Sequence, residues 1–153
     1  MTRRLFATIA LLFVLMAVTG GPVSAHAFLR IADPAEDSTV TTAPSEIRLG
    51  FTEPVEVRFS IFKVYRLDAN PSTELRRLNA QAGALMSDVL TKRDDEGARA
   101  DAGVSTTART STDIALRLKP DPQPGVYAVM WRVLSVDTHT TQGFHIFIVA
   151  PKR

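Results

Sequence analysis

The 153-residue chain contains no cysteine. That absence excludes disulfides, thiolate metal sites and cysteine nucleophiles together. Methionine sulfur is thinly spread: Met1 and Met16 lie in the first 25 residues, and Met86 and Met130 are isolated. Thioether ligation of a soft metal needs several sulfurs converging on one ion, so the spacing gives no such site. Tryptophan occurs once, at Trp131, within a strand pattern, and there is no evident aromatic platform for sugars. The chain also lacks the clustered basic stripe of a nucleic-acid binder. No internal repeat or linker is visible.

The first 25 residues have their own logic. Arg3-Arg4 is followed by an apolar run from Leu5 to Val18, then Thr19-Gly20-Gly21-Pro22 and Val23-Ser24-Ala25. Charge, apolar core and small residues in that order mark a secretory signal, with cleavage expected after Ala25. The run is shorter than the ~20 apolar residues a bilayer span requires. Thr2-Arg3-Arg4-Leu5-Phe6 also hints at twin-arginine export, so both export routes stay open. Cleavage would remove two arginines, leaving 16 basic and 16 acidic residues in a formally neutral mature chain of 128 residues. The expected organisation is therefore a signal peptide over 1–25 and one domain over 26–153, long enough for a real core.

Within that domain the apolar period is mostly two. Ile47, Leu49 and Phe51 alternate with polar neighbours, and Val55, Val57, Phe59 and Ile61 do so just after Pro54. Ile114, Leu116 and Leu118 repeat the pattern before the turn-rich Pro120–Gly125 stretch. Tyr127, Val129, Trp131 and Val133 follow, then His145, Phe147 and Val149. Short alternating strands separated by turn signals predict an all-β fold, an antiparallel β-sandwich of Greek-key, Ig-like or cupredoxin-like type. One stretch breaks the period. From Thr73 to Lys92, Leu75, Leu78, Ala82, Leu85, Met86 and Val89 recur at steps of three and four, which predicts an inserted helix. It either lies on its own sandwich or binds a partner. Arg93 to Thr112, charged and rich in small residues, reads as a mobile loop, so a helix-and-loop insertion is expected over about 70–112.

The three histidines fall in two places: His26, and His139 with His145 near the carboxyl end. Cleavage after Ala25 would give His26 a free amine beside its imidazole. Asp137 and His139 stand two apart, and on a continuous strand their side chains would share a face. Together these residues offer three nitrogens and one oxygen, a set that suits tetragonal Cu(II), the tightest bound of the divalent first-row ions. Nickel fits the same ligands less tightly, and zinc prefers a tetrahedral set. Asp137-Thr138-His139 is also readable as a simple turn, with Asp137 bonding nearby backbone amides.

These residues sit in a pattern that resembles the CopC-type periplasmic copper-binding proteins (the CopC/PcoC family). The matching stretches are His26-Ala27-Phe28-Leu29, Asp33-Pro34-Ala35-Glu36-Asp37-Ser38, Leu49-Gly50-Phe51-Thr52-Glu53, Gly125-Val126-Tyr127, and Trp131 to His139 with Gly143. The resemblance implies an exported sandwich in which His26 supplies amine and ring nitrogen, His139 a second imidazole and Asp137 an oxygen. It also places a carboxylate, Glu53, near the site, as a ligand, as an orienting group or as a plain strand-end acid. The family's methionine-rich Cu(I) loop has no counterpart here, so Cu(II) alone is expected. His145 occupies a position that is apolar in the family; it is either a buried histidine or an extra group beside the metal. The implied role is copper binding and transfer without catalysis, by a monomer serving a membrane copper transporter or a periplasmic acceptor, with no nucleic-acid partner. Two rival readings remain: a copper-dependent polysaccharide monooxygenase, which also uses an amino-terminal histidine, and a metal-free interaction module built on the helix.

Overall fold

The computed structural model describes residues 26–151, so the expected signal peptide lies outside the described residues. Alternating apolar residues build the strands β1 (Leu29–Asp33), β2 (Thr39–Val40), β3 (Glu46–Glu56), β4 (Ile61–Leu67), β5 (Asp101–Val104), β6 (Thr110–Leu118), β7 (Gly125–Leu134) and β8 (Thr140–Val149). A helix, α1 (Leu75–Val89), lies between β4 and β5. The strands form two four-stranded sheets, ordered β1-β3-β6-β5 and β2-β8-β7-β4. Pairing is antiparallel except between β2 and β8. The expected β-sandwich with an inserted helix is the observed architecture. Among the described residues no helix is long and apolar enough to cross a membrane.

Period-two side chains meet between the sheets. Ile47, Leu49, Phe51 and Val55 from β3 and Ile114 and Leu116 from β6 face Tyr127, Val129, Trp131, Val133, Phe147 and Val149. Each large side chain fully removed from water contributes ~1.5–3 kcal/mol. Trp131 lies against its cross-strand partner Gly143, where an added Cβ would come within 2.7 Å of the indole, so only glycine leaves room for the ring.

The second sheet is buried on its other face too. Val126, Ala128, Met130, Ile146, Ile148, Tyr65 and Leu67 form a second cluster with Leu78 and Ala82 of α1 and with Leu90. The helical period thus docks on the chain's own sandwich, and Met86 and Met130 are accounted for by packing. This double burial explains the near-continuous apolar run of β7.

Two expectations need correction. The alternation from Val55 to Ile61 is not one strand: β3 ends at Glu56, a 3-10 turn spans Val57–Phe59 with Phe59 70% exposed, and β4 starts at Ile61. Pro54 has no N–H for the ladder, and the β3–β6 register shifts between Gly50 and Val55. Ser60 fixes the corner, donating to Glu56 O at 2.8 Å and accepting from Leu134 N at 3.1 Å.

Arg93–Thr112 is not simply a loop either, because Asp95 and Asp101 are buried and paired, and the segment contains β5. Lys63 Nζ donates to Val89 O at 2.8 Å, to Lys92 O at 2.7 Å and to the Asp95 carboxylate, which also accepts from Tyr65 OH at 2.6 Å. The two carbonyls lie at and just past the end of α1, where helix geometry leaves acceptors unpaired. Arg99 pairs with Asp101, whose Oδ2 accepts Val64 N at 2.7 Å, while Ala100 N donates to Val64 O at 2.7 Å. The segment therefore covers the open edge of β4 and leads directly into β5. Burial pushes the Asp95 pKa up, but the bonds from Lys63 and Tyr65 and the charges of Lys63 and Arg99 outweigh it and hold the carboxyl below its usual value. Burial, reinforced by the bond to Asp95, pushes the Tyr65 phenol up.

His145 is fully buried in the sandwich interior, its ring centroid 6.1 Å from that of Trp131. Neither ring nitrogen meets a partner at hydrogen-bond geometry. Burial lowers its pKa from 6.5 to about 4, against the opposing effects of the Asp37 charge and the Pro34 backbone. The unfolded chain then takes up a proton that the folded chain refuses, so stability falls as pH drops from 6.5 toward 4 and is unaffected above that window.

Two outcomes are expected from this architecture. Lys63→Ala removes the lysine that pairs with the buried Asp95 carboxylate and bonds the Val89 and Lys92 carbonyls, and should lower unfolding stability by ~3–5 kcal/mol in urea titrations. His145→Leu should be no less stable than the parent at neutral pH and should remove about 3 kcal/mol of stability loss between pH 6.5 and 4. Parallel urea titrations at the two pH values check this, and an unchanged pH slope in the variant would contradict it.

Candidate metal centre

The site is assembled from two chain segments that meet at one end of the sandwich. The first is His26-Ala27-Phe28. Ala27 is completely buried in the inter-sheet core, whereas His26 and Phe28 on either side are exposed. Thr52 Oγ1 accepts Phe28 N at 3.0 Å and donates to His26 O at 3.2 Å, and Thr52 N donates to Phe28 O at 2.9 Å. From β8, Thr141 Oγ1 donates to Ala27 O at 2.6 Å.

The second segment is the turn joining β7 to β8. Ser135 N donates to His139 O and Thr138 N to Ser135 O, each at 2.9 Å. Thr138 takes a left-handed φ of 75°, an unusual conformation for a β-branched residue that the surrounding bonds hold in place. Ser135 Oγ lies 2.5 Å from Asp137 Oδ1, and His139 N donates to the same oxygen at 3.3 Å. Asp137 Oδ2 meets His139 Nδ1 at 2.8 Å. Strand parity is therefore not what aligns Asp137 with His139; a turn does it, and Asp137 both shapes that turn and holds the ring. The Ser135 hydroxyl bond is the largest cause, and together with the bonds and charge of His139 it outweighs the opposing effect of desolvation and lowers the Asp137 pKa to about 2. The carboxylate is therefore ionised across the ordinary pH range.

The two segments bring the His26 and His139 rings to a centroid separation of 4.6 Å, tilted by 40°. Phe28 also stacks on His26, at 5.9 Å. Of the five residues singled out in the sequence, the His26 ring meets the His139 ring and Asp137 meets His139. Glu53 follows Thr52 on β3, half-buried, and makes no hydrogen bond or ion pair. His145 pairs with Val129, five positions along β8 from Thr140, or about 17 Å at the usual strand rise, well into the interior. Among the described residues no group of three His, Asp or Glu side chains is arranged to hold a metal alone. Closing a coordination set around His26 and His139 needs a donor that is not one of these side chains. The residues that pattern reading missed are Thr52 and Thr141, whose hydroxyls face backbone and leave no spacing signature.

The sequence pattern of the CopC domain matches residues 29–91 and 77–150. Protein YobA of Escherichia coli strain K12 is 32% identical over 128 residues, covering 83% of this chain and 81% of YobA. The same fold occurs in CopC from Methylosinus trichosporium OB3b, with a TM-score of 0.58, 23% identity, and coverage of 84% of this chain and 97% of that one. PcoC, a methionine-rich copper resistance protein from Escherichia coli, superposes with a TM-score of 0.57 and 26% identity over 82% of this chain and 99% of its own. Domain pattern, sequence identity and shared fold agree across nearly all the described residues, and the chain belongs to the CopC family.

Proposed function

We propose that this protein is an exported copper-binding protein that holds Cu(II) in the periplasm, for resistance, homeostasis or delivery. The observation that carries the reading is the pairing of the His26 and His139 rings at 4.6 Å, with the ionised Asp137 bonded to His139. Signal cleavage after Ala25 would turn the His26 backbone nitrogen into an amine, the missing donor. Amine and ring of His26, the His139 imidazole and an Asp137 oxygen then make a mixed nitrogen and oxygen set suited to Cu(II). Glu53 and His145 have no place in the ligand set of this reading. Cu(I) has none either, since Met86 and Met130 belong to the core around α1. The site is open to solvent, with the His139 side chain 54% exposed, which favours loading from and release to a membrane transporter or periplasmic acceptor without catalysis.

A Cu(II) titration followed by electron paramagnetic resonance tests this directly. The chain beginning at His26 should bind one ion tightly, and a chain retaining Ala25 should lose that binding; equal weak binding by both would refute the terminal chelate. Affinity should also fall as pH is lowered from 8 to 6, because amines titrating near ~8 and imidazoles near ~6.5 exchange metal for protons. Isothermal titrations across that range check it.

A further inference from the structure

We infer that Thr52 and Thr141 are positioning residues that hold His26 in place for the metal, an inference that rests on the copper reading above. Their hydroxyls are spent on the backbone of the segment that carries His26. Thr52 Oγ1 donates to His26 O at 3.2 Å and accepts Phe28 N at 3.0 Å, so a single hydroxyl spans two peptide units. Thr141 Oγ1 takes the carbonyl between them, Ala27 O, at 2.6 Å. With Thr52 N on Phe28 O at 2.9 Å, three consecutive carbonyls are anchored to strands of opposite sheets, β3 and β8. The fully buried Ala27 methyl pins the middle residue to the core.

The geometric consequence follows from backbone chemistry. Fixing the peptide plane between His26 and Ala27 places the His26 Cα, which leaves the main-chain nitrogen one torsion (ψ) and the ring that same torsion plus its own two. A first residue is otherwise the most mobile in a chain. Without the clamp, bringing the amine and the ring to the ion opposite His139 would cost conformational entropy at the moment of binding. Thr→Val substitutions remove only the hydroxyls and keep the branched shape.

The test uses protein exported from the full-length gene, its first residue identified by mass spectrometry. Thr52→Val and Thr141→Val should each weaken Cu(II) binding by about tenfold, in the range found when partners that orient a ligand are removed, and should alter the Cu(II) resonance spectrum. Thr52→Ser should restore both. A purely structural role would lower the melting temperature and leave the affinity and spectrum of the folded protein as they were, and that result overturns the inference. In the metal-free protein, the Phe28 amide should exchange with solvent faster in Thr52→Val; unchanged exchange also overturns the clamp, whatever copper does. Parent protein that binds no Cu(II) tightly while its Phe28 amide remains protected removes the copper reading, and with it the purpose of the clamp.

Discussion

Strand β7 carries alternate side chains into two different cores, and most of the molecule is arranged around that fact. Tyr127, Val129, Trp131 and Val133 fill the space between the sheets, while Val126, Ala128 and Met130 lie under the helix. A strand dry on both faces and hydrogen-bonded on both edges by β4 and β8 has almost no freedom to shift register, since a slip of one residue would exchange its two faces. The turn bearing Asp137 and His139 begins directly after its last residue, Leu134. A ligand-bearing loop thus sits on the least deformable element available, which is where a binding geometry is best conserved.

The helix exposes a cost in this arrangement. Covering the second sheet brings the carbonyls of Val89 and Lys92 close to a charged strand residue, Lys63, away from water. Buried ions are tolerated when every polar atom finds a partner, and here Lys63, Asp95, Tyr65, Arg99 and Asp101 satisfy one another and the backbone of Val64. The same residues seal the edge of β4, which would otherwise present unpaired backbone groups to another chain. The network lies under the helix and along the β4 edge, and Asp137 and His139 take no hydrogen bond from it.

Much of this was legible in the order of residues. Period-two runs marked β3, β6, β7 and β8, and the three-and-four spacing marked α1. What escaped had a physical reason in each case. The alternation of β4 is hidden by Lys63, whose place in the interior depends on partners about 30 residues further on. Asp95, Arg99 and Asp101 read as solvated because charge is usually solvated, and only the fold shows that they are paired. Asp137 and His139 came together as expected but through a turn with a positive φ at Thr138, which a threonine does not advertise. Hydroxyls that bond main-chain carbonyls, as in Thr52 and Thr141, depend on tertiary proximity and have no period.

Trp131 is the chain's only indole, and its position makes the molecule its own optical instrument. It is 6% exposed, edge-on to Phe51 at 6.2 Å and near the unprotonated His145 ring at 6.1 Å. Its emission therefore arises from one apolar environment with no second fluorophore of its kind to blur it. Light emitted by this residue reports the integrity of the inter-sheet core.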